Sequence, residues 1–193
     1  MQLPTGGPGI GPPTFGPLVD LGCGRRPVPG AFGLDRQALP GVAVVARLDA
    51  AHLPFREASL ARVYARHVLE HLEDVPAAMA EIHRVLRPGG ECHVEVPYFA
   101  AVSAYADPTH RAWFTYTTFE HFGPPATSGW QANRHTWFGS ARFGIRRRRL
   151  VFGEAHRRLG LQALANRFPA LYENLLLYLF PARSLEVVLV RLG

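Results

Sequence analysis

Short apolar segments alternate with turns rich in glycine, proline and acidic residues through the first hundred positions. Five of these segments have the composition of buried strands, and they lie near residues 18–21, 31–35, 42–47, 61–65 and 91–97. Apolar positions recur at helical spacing over 75–86, where Asp74 suits the N-cap and Pro88-Gly89-Gly90 would stop the helix. Strands linked by crossovers form parallel sheets, so this pattern predicts an α/β fold.

The second half of the chain has a different pattern. Residues 98–140 are aromatic and irregular, with a short helix predicted around Thr118–Phe122. Residues 143–152 and 184–192 have strand character and predict a terminal antiparallel pair, separated by an amphipathic helical insertion over 154–181. Residues 168–181 of that insertion are apolar almost all round, which favours a buried helix over a dimer interface or a contact with a membrane surface.

Length and composition indicate one domain. A chain of 193 residues with 48% hydrophobic content can bury one substantial core. Residues 1–17 contain ten glycines and prolines and predict a tail, leaving 18–193 as the domain. No apolar run approaches the length of about 20 residues that spans a bilayer, and no signal-peptide pattern is present, so we expect a cytoplasmic protein. Its two cysteines are expected to be reduced.

The most informative segment is Asp20-Leu21-Gly22-Cys23-Gly24, which follows a predicted strand directly. Glycines at such a turn can adopt backbone angles closed to other residues and let a ligand approach the main chain. In an α/β sheet this turn lies at the carboxyl edge of the strands, where ligands bind. Arg25-Arg26-Pro27 follows without a third glycine, which argues against a dinucleotide fingerprint.

Acidic residues end the next two predicted strands. Asp35 comes eleven residues after Gly24, and a carboxylate at this position can accept both hydroxyls of a ribose. The intervening segment contains Pro27, Pro29 and Gly30, so a loop or a single turn must replace the usual crossover helix. Asp49 closes the third strand.

These motifs are followed by Leu69-Glu70-His71 and by the run from Arg84 to Gly90, after which the fifth strand begins. In this order they closely resemble the class I S-adenosylmethionine-dependent methyltransferases, the methyltransferase-11-like group in particular. The resemblance spans residues 18–99 and makes them the cofactor-binding half, with 100–193 on the acceptor side. It implies a Rossmann-like sandwich whose mostly parallel, seven-stranded sheet has helices on both faces.

The resemblance also implies S-adenosylmethionine as the cofactor, and it assigns parts of the molecule to particular residues. The methionine portion is expected near His67 and against the turn residues Asp20, Gly22, Cys23 and Gly24. The ribose is expected at Asp35 with Arg36 beside it. The adenine edge is expected at Asp49 and the Ala50 backbone.

Candidate catalytic chemistry lies after the fifth strand. Asp107-Pro108-Thr109-His110 contains a histidine that could take a proton from an attacking hydroxyl or amine, with Asp107 orienting it. The alternative is a structural Asx-Pro turn. The acceptor is expected to contact His71, Tyr98, Tyr105 and His110, and we predict methyl transfer to an oxygen or nitrogen of a small or medium-sized molecule.

Other partners are less favoured by the sequence. The run from Arg146 to Arg149 places two arginines on each face of a strand, which a solvated edge strand explains as well as nucleic-acid binding. No histidine or cysteine spacing matches a zinc site, so no metal is expected, although Asp107, His110 and His135 could converge. A non-catalytic cofactor-binding domain and an RNA or protein methyltransferase remain alternatives. The protein is expected to be a monomer or a homodimer.

Overall fold

The structure is a computed structural model and describes residues 17–48, 52–124 and 141–193. Its centre is a seven-stranded sheet in the order β3-β2-β1-β4-β5-β7-β6. The strands are β1 (Leu18–Leu21), β2 (Phe32–Asp35), β3 (Val42–Val45), β4 (Leu60–Arg66), β5 (Leu86–Pro97), β6 (Phe143–Val151) and β7 (Ser184–Arg191). The first five are parallel, and β7 runs antiparallel to both β5 and β6. The predicted sheet is confirmed.

The helices are α1 (Val75–Val85), α2 (Ser103–Ala106), α3 (Glu154–Arg158), α4 (Leu161–Arg167) and α5 (Pro169–Leu171). Tighter turns of 3-10 geometry occupy Leu69–His71 and Thr118–Phe122, and a π turn occupies Tyr172–Leu176. Asp74 caps α1 as predicted, because its Oδ1 accepts a hydrogen bond of 2.8 Å from the backbone N–H of Ala77. No helix in these ranges is long and apolar enough to cross a membrane.

Strand β5 begins five residues earlier than predicted. Leu86 already pairs with Leu60, and the register then shifts before Arg62 pairs with Glu91. The Pro-Gly-Gly segment ends α1 as predicted, yet it forms a bulge inside the strand because Gly89 adopts a φ of +75° that most residues avoid. A glycine pair that predicts a turn between a helix and a strand can therefore lie inside the strand.

One face of the sheet is apolar and carries the core. Met79, Ile82 and Val85 of α1 are fully buried and belong to the same cluster as Val63 and Val94 of the central strands. The period-two alternation of the strands puts these valines on one side and polar residues on the other.

The opposite face is polar and is crossed by a loop. Crossovers between parallel strands are right-handed. The β1–β2 crossover and the β4–β5 crossover, which contains α1, run in opposite directions along the sheet, so the β1–β2 crossover lies on the face opposite α1. That crossover contains no helix, as its prolines predicted. Glu91 on this face accepts hydrogen bonds from Arg62 and Arg146, and Arg148 on the other face pairs with Glu120, so two members of the arginine run are engaged in ion pairs.

Candidate functional site

The glycine turn after β1 has the backbone geometry that the sequence predicts. Gly22 and Gly24 adopt φ values of +60° and +56°, in the left-handed region that favours glycine. A Cβ added at Gly22 would lie 2.5 Å from Cγ2 of Val68, whereas a Cβ at Gly24 would meet nothing within 4 Å. Gly22 therefore packs against the segment that follows β4, and no side chain fits between them.

Asp20 stabilises the glycine turn through hydrogen bonds of its carboxylate. Its carboxylate is fully buried, and its Oδ2 accepts hydrogen bonds of 2.8 Å from the Val28 backbone N–H and from Arg66 Nη2. These bonds hold the helix-free crossover against the ends of β1 and β4. Cys23 is buried beside Gly33, and burial raises the pKa of its thiol.

A cavity of about 500 Å³ opens where β1, β2, β3 and β4 end. It brings together six residues predicted from the sequence, namely Gly22, Asp35, Arg36, His67, His71 and Asp107. It is also lined by residues not named as site residues from the sequence, among them Arg47, Val68, Glu73, Thr109 and Arg111. Asp20, Cys23 and Gly24 lie outside its lining, and Asp49 and Ala50 fall outside the residues that the structure describes.

Asp35 ends β2 with its carboxylate at the cavity wall. Oδ2 accepts a hydrogen bond of 2.9 Å from the Gly24 N–H, and Oδ1 accepts one of 3.0 Å from the Gln37 N–H. A carboxylate offers about four acceptor positions, so two backbone donors leave room for further donors. Asp35 thus joins the glycine turn to the second strand and can still bind a ligand.

His67 lies at the end of β4 in an unusual conformation. Its φ is +53°, and its N–H donates to the Glu95 carbonyl at 2.8 Å. The ring lies between two carboxylates, with Nδ1 3.3 Å from Glu70 Oε1 and Nε2 3.5 Å from Glu95 Oε1. Hydrogen bonds to Glu70 and then Glu95 raise the pKa of His67 to about 9 despite partial burial. His67 is therefore a cation at neutral pH and sits at the cavity.

On the other side of the cavity, Asp107 acts on His71 through Thr109. Asp107 Oδ1 accepts from both the N–H and the hydroxyl of Thr109, at 2.8 and 2.7 Å, and these bonds lower the pKa of Asp107. Because the single hydroxyl proton points to Asp107, Thr109 Oγ1 must accept from Nδ1 of His71, which lies 2.9 Å away. The predicted orienting contact between Asp107 and His110 is replaced by this relay.

His110, expected at the acceptor, does not line the cavity and packs against His71, which does. Its Nδ1 lies 3.0 Å from the Ala104 carbonyl oxygen, which can only accept, so Nδ1 carries the proton. The two imidazole rings pack edge to face with centroids 4.7 Å apart. This tautomer leaves Nε2 of His110 as the basic nitrogen.

Comparison with known proteins identifies the fold and the cofactor. Residues 19–94 match the methyltransferase domain family Methyltransf_11. This match confirms the resemblance described above, and with it S-adenosylmethionine as the expected cofactor. No curated protein sequence matches the chain.

Solved methyltransferase structures share the fold at low sequence identity. An S-adenosylmethionine-dependent methyltransferase from Mesorhizobium loti is 20% identical, with a TM-score of 0.55 and 94% of each chain covered. Another from Archaeoglobus fulgidus is 14% identical, with a TM-score of 0.58, covering 91% of this chain and 86% of that chain. The complex between the Haloferax volcanii Trm112 methyltransferase activator and a methyltransferase gives 16% identity and a TM-score of 0.57, covering 92% of this chain and 83% of that chain.

Two tyrosines expected at the acceptor lie away from the cavity. Tyr98 is fully buried and donates its hydroxyl to Glu173 Oε1 at 2.7 Å. Burial and this carboxylate raise the pKa of Tyr98, and it belongs to the core. Tyr105 is 61% exposed and stacks on Trp113 outside the cavity. Period-two alternation does not reach past the end of β5 at Pro97, so the direction of the Tyr98 side chain could not be predicted.

Proposed function

We propose that this chain binds S-adenosylmethionine in the cavity at the strand ends and transfers its methyl group to an oxygen or nitrogen of a small or medium-sized acceptor. The observation that carries the proposal is the convergence of Gly22, Asp35 and His67 on one cavity of about 500 Å³. Sites for small molecules and cofactors have volumes of roughly 300–1,000 Å³, so this one suits a nucleoside and a modest acceptor.

The residues present fit the cofactor. Asp35 has acceptor positions left for the two ribose hydroxyls, with Arg36 beside it. Gly22 packs against Val68, and both residues line the cavity where the chain that carries the sulfonium is proposed to lie. His67 lines the cavity at the end of β4, where the methionine portion is proposed to lie.

Other cofactor residues are proposed from the family resemblance. Asp49 and the Ala50 backbone remain the proposed contacts of the adenine edge. For Asp20, Cys23 and Gly24 we propose a supporting role, in which they fix the turn that bears Gly22, because none of them lines the cavity.

Bound S-adenosylmethionine supplies an electrophilic methyl carbon, and the protein mainly has to align an acceptor with it. The acceptor is proposed to lie against His71, Asp107 and Thr109, on the side of the cavity away from Asp35. An oxygen or nitrogen acceptor loses a proton during methylation, and the Nε2 lone pair of His110 can receive it. A small acceptor is preferred over nucleic acid because Arg146 and Arg148 are already paired with carboxylates.

Calorimetry with S-adenosylhomocysteine tests the cofactor assignment. Asp35→Ala should weaken binding by about 2–3 kcal/mol, or 30- to 150-fold, because two ribose hydroxyls lose a charged acceptor. Asp74→Ala is the matched control, since it also removes a carboxylate that caps a backbone N–H but lies off the cavity. Wild-type protein that binds NAD more tightly than S-adenosylhomocysteine would refute the assignment. Transfer of isotope-labelled methyl groups to a panel of small alcohols, phenols and amines then identifies the acceptor class.

A further inference from the structure

Three side chains with lone pairs converge beside the cavity. Glu70 and His71 belong to the 3-10 turn after β4, and His110 reaches them from the loop after α2. One carboxylate oxygen and one ring nitrogen from each histidine lie within 4.8 Å of one another. The cluster is assembled by the fold, because its members come from segments about forty residues apart.

The hydrogen bonds around the histidines fix their tautomers. Nδ1 of His71 donates to Thr109 Oγ1, and Nδ1 of His110 donates to the Ala104 carbonyl oxygen. In its neutral form each ring therefore carries its lone pair on Nε2, and the neutral imidazole is the form that binds a metal ion. A histidine ligand commonly donates its other N–H to a hydroxyl, a carboxylate or a carbonyl group, as both rings do here.

Glu70 completes the cluster with a buried carboxylate. The residue is 1% exposed, and its Oε1 contacts Nδ1 of His67 at 3.3 Å. Its Oε2 is buried and accepts no hydrogen bond from any residue that the structure describes. The Glu70 carbonyl oxygen also accepts from the N–H groups of Arg111 and Ala112, so the main chain at this position is fixed. A buried anionic oxygen without a partner is costly unless a cation binds it.

We propose that Glu70, His71 and His110 bind a divalent transition-metal ion, with zinc the best match. Two imidazoles and one carboxylate with an open coordination position are the ligands of many catalytic zinc sites. Ligand atoms around a tetrahedral zinc ion lie about 3.4 Å apart, since each bond is about 2.1 Å, so the three side chains close by roughly an ångström on binding. The ligands include two adjacent residues and one distant one, a spacing that sequence motifs for zinc do not cover.

The ion would lie where an acceptor can reach it, because His71 lines the cavity. Its open position would hold an acceptor hydroxyl, which releases its proton to water more readily when bound to the ion, and His110 would then be a ligand instead of a base. This role in methylation rests on the proposed function. Binding of the ion does not, since it depends on the three ligands alone.

Metal binding is tested on chelator-treated protein by calorimetry with zinc chloride and by the visible absorption of bound Co²⁺. Wild type should bind one ion per chain, and His71→Ala and His110→Ala should each weaken binding by about 100-fold. His52→Ala is the control, because His52 is 79% exposed and lies outside the cluster, and it should bind as wild type does. Thr109→Val should weaken binding by about 10-fold, since it removes only the group that orients His71.

Equal zinc affinity in wild type and His110→Ala, with both folded by circular dichroism, would overturn the proposal. So would the failure of folded wild type to bind one equivalent of Zn²⁺ or Co²⁺. Calorimetry with S-adenosylhomocysteine on the same samples separates the two proposals. Cofactor binding without metal binding rejects the metal site alone, and metal binding without cofactor binding rejects the methyltransferase assignment alone.

Discussion

Gly22 and Gly24 are two residues apart and share one backbone conformation, yet alanine should affect them very differently. Both have φ near +60°, and placing a residue with a Cβ in this region costs about 1–2 kcal/mol. The space around the two positions differs. The new Cβ at Gly22 would lie 2.5 Å from Cγ2 and 2.9 Å from Cβ of Val68, while at Gly24 it would meet nothing within 4 Å.

The difference between the two variants therefore isolates the contact with Val68. Normal carbon–carbon contacts are about 3.5–4.0 Å, so Val68 or the turn must move by about 1 Å, and such overpacking costs about 1–3 kcal/mol. We expect Gly24→Ala to lower the free energy of unfolding by about 1–2 kcal/mol and Gly22→Ala by about 2–5 kcal/mol. Because Gly22 and Val68 both line the cavity, Gly22→Ala should also weaken S-adenosylhomocysteine binding more than 10-fold, and Gly24→Ala less than 3-fold.

Denaturant unfolding and calorimetry on both variants measure these quantities. Val68→Ala should partly restore the Gly22→Ala protein, because it removes the Cγ2 atom of the closest contact and leaves the Cβ contact in place. Equal losses in the two alanine variants would refute the reasoning. So would tight binding of S-adenosylhomocysteine by a folded Gly22→Ala protein, since the turn would then be a structural feature and the cofactor would bind elsewhere.

Three further outcomes are expected. Tyr98→Phe should lower the free energy of unfolding by about 1.5–3 kcal/mol in denaturant titrations, because Glu173 loses a buried donor, while S-adenosylhomocysteine affinity stays unchanged. Burial raises the pKa of Cys92 to about 12 and also raises that of Cys23, so neither free thiol should react quickly with a disulfide reagent at pH 8, and both should react in guanidinium chloride. The third outcome needs a known acceptor. If the proposed metal ion takes part in methylation, removing it with a chelator should lower turnover, and added zinc should restore it. If His110 acts alone as a base, chelation should have no effect while His110→Ala lowers turnover by about 10²–10⁴-fold.

The parts of the molecule that were predictable depend on local chain chemistry. The strand before Gly22, the N-cap at Asp74 and the helix-free crossover each follow from a few neighbouring residues and their allowed backbone angles. The start of β5 was not predictable in this way, because Gly89 and Gly90 are typical of a turn and yet lie inside the strand. Pairing of Leu86 with Leu60 decides the outcome, and that contact is tertiary.

In the candidate site too, some residues were predictable from local sequence and others depend on tertiary contacts. Gly22, Asp35 and His67 reach the cavity because each follows or ends a parallel strand, and strand ends of one sheet must meet at one edge. The acceptor side has no such rule. Thr109 bonds to His71 across 38 positions of sequence, and only this contact shows that Asp107 orients His71 and leaves His110 to the Ala104 carbonyl. The tautomers of the neutral rings follow from those partners, so the chemistry of the acceptor side depends on contacts that no spacing in the sequence encodes.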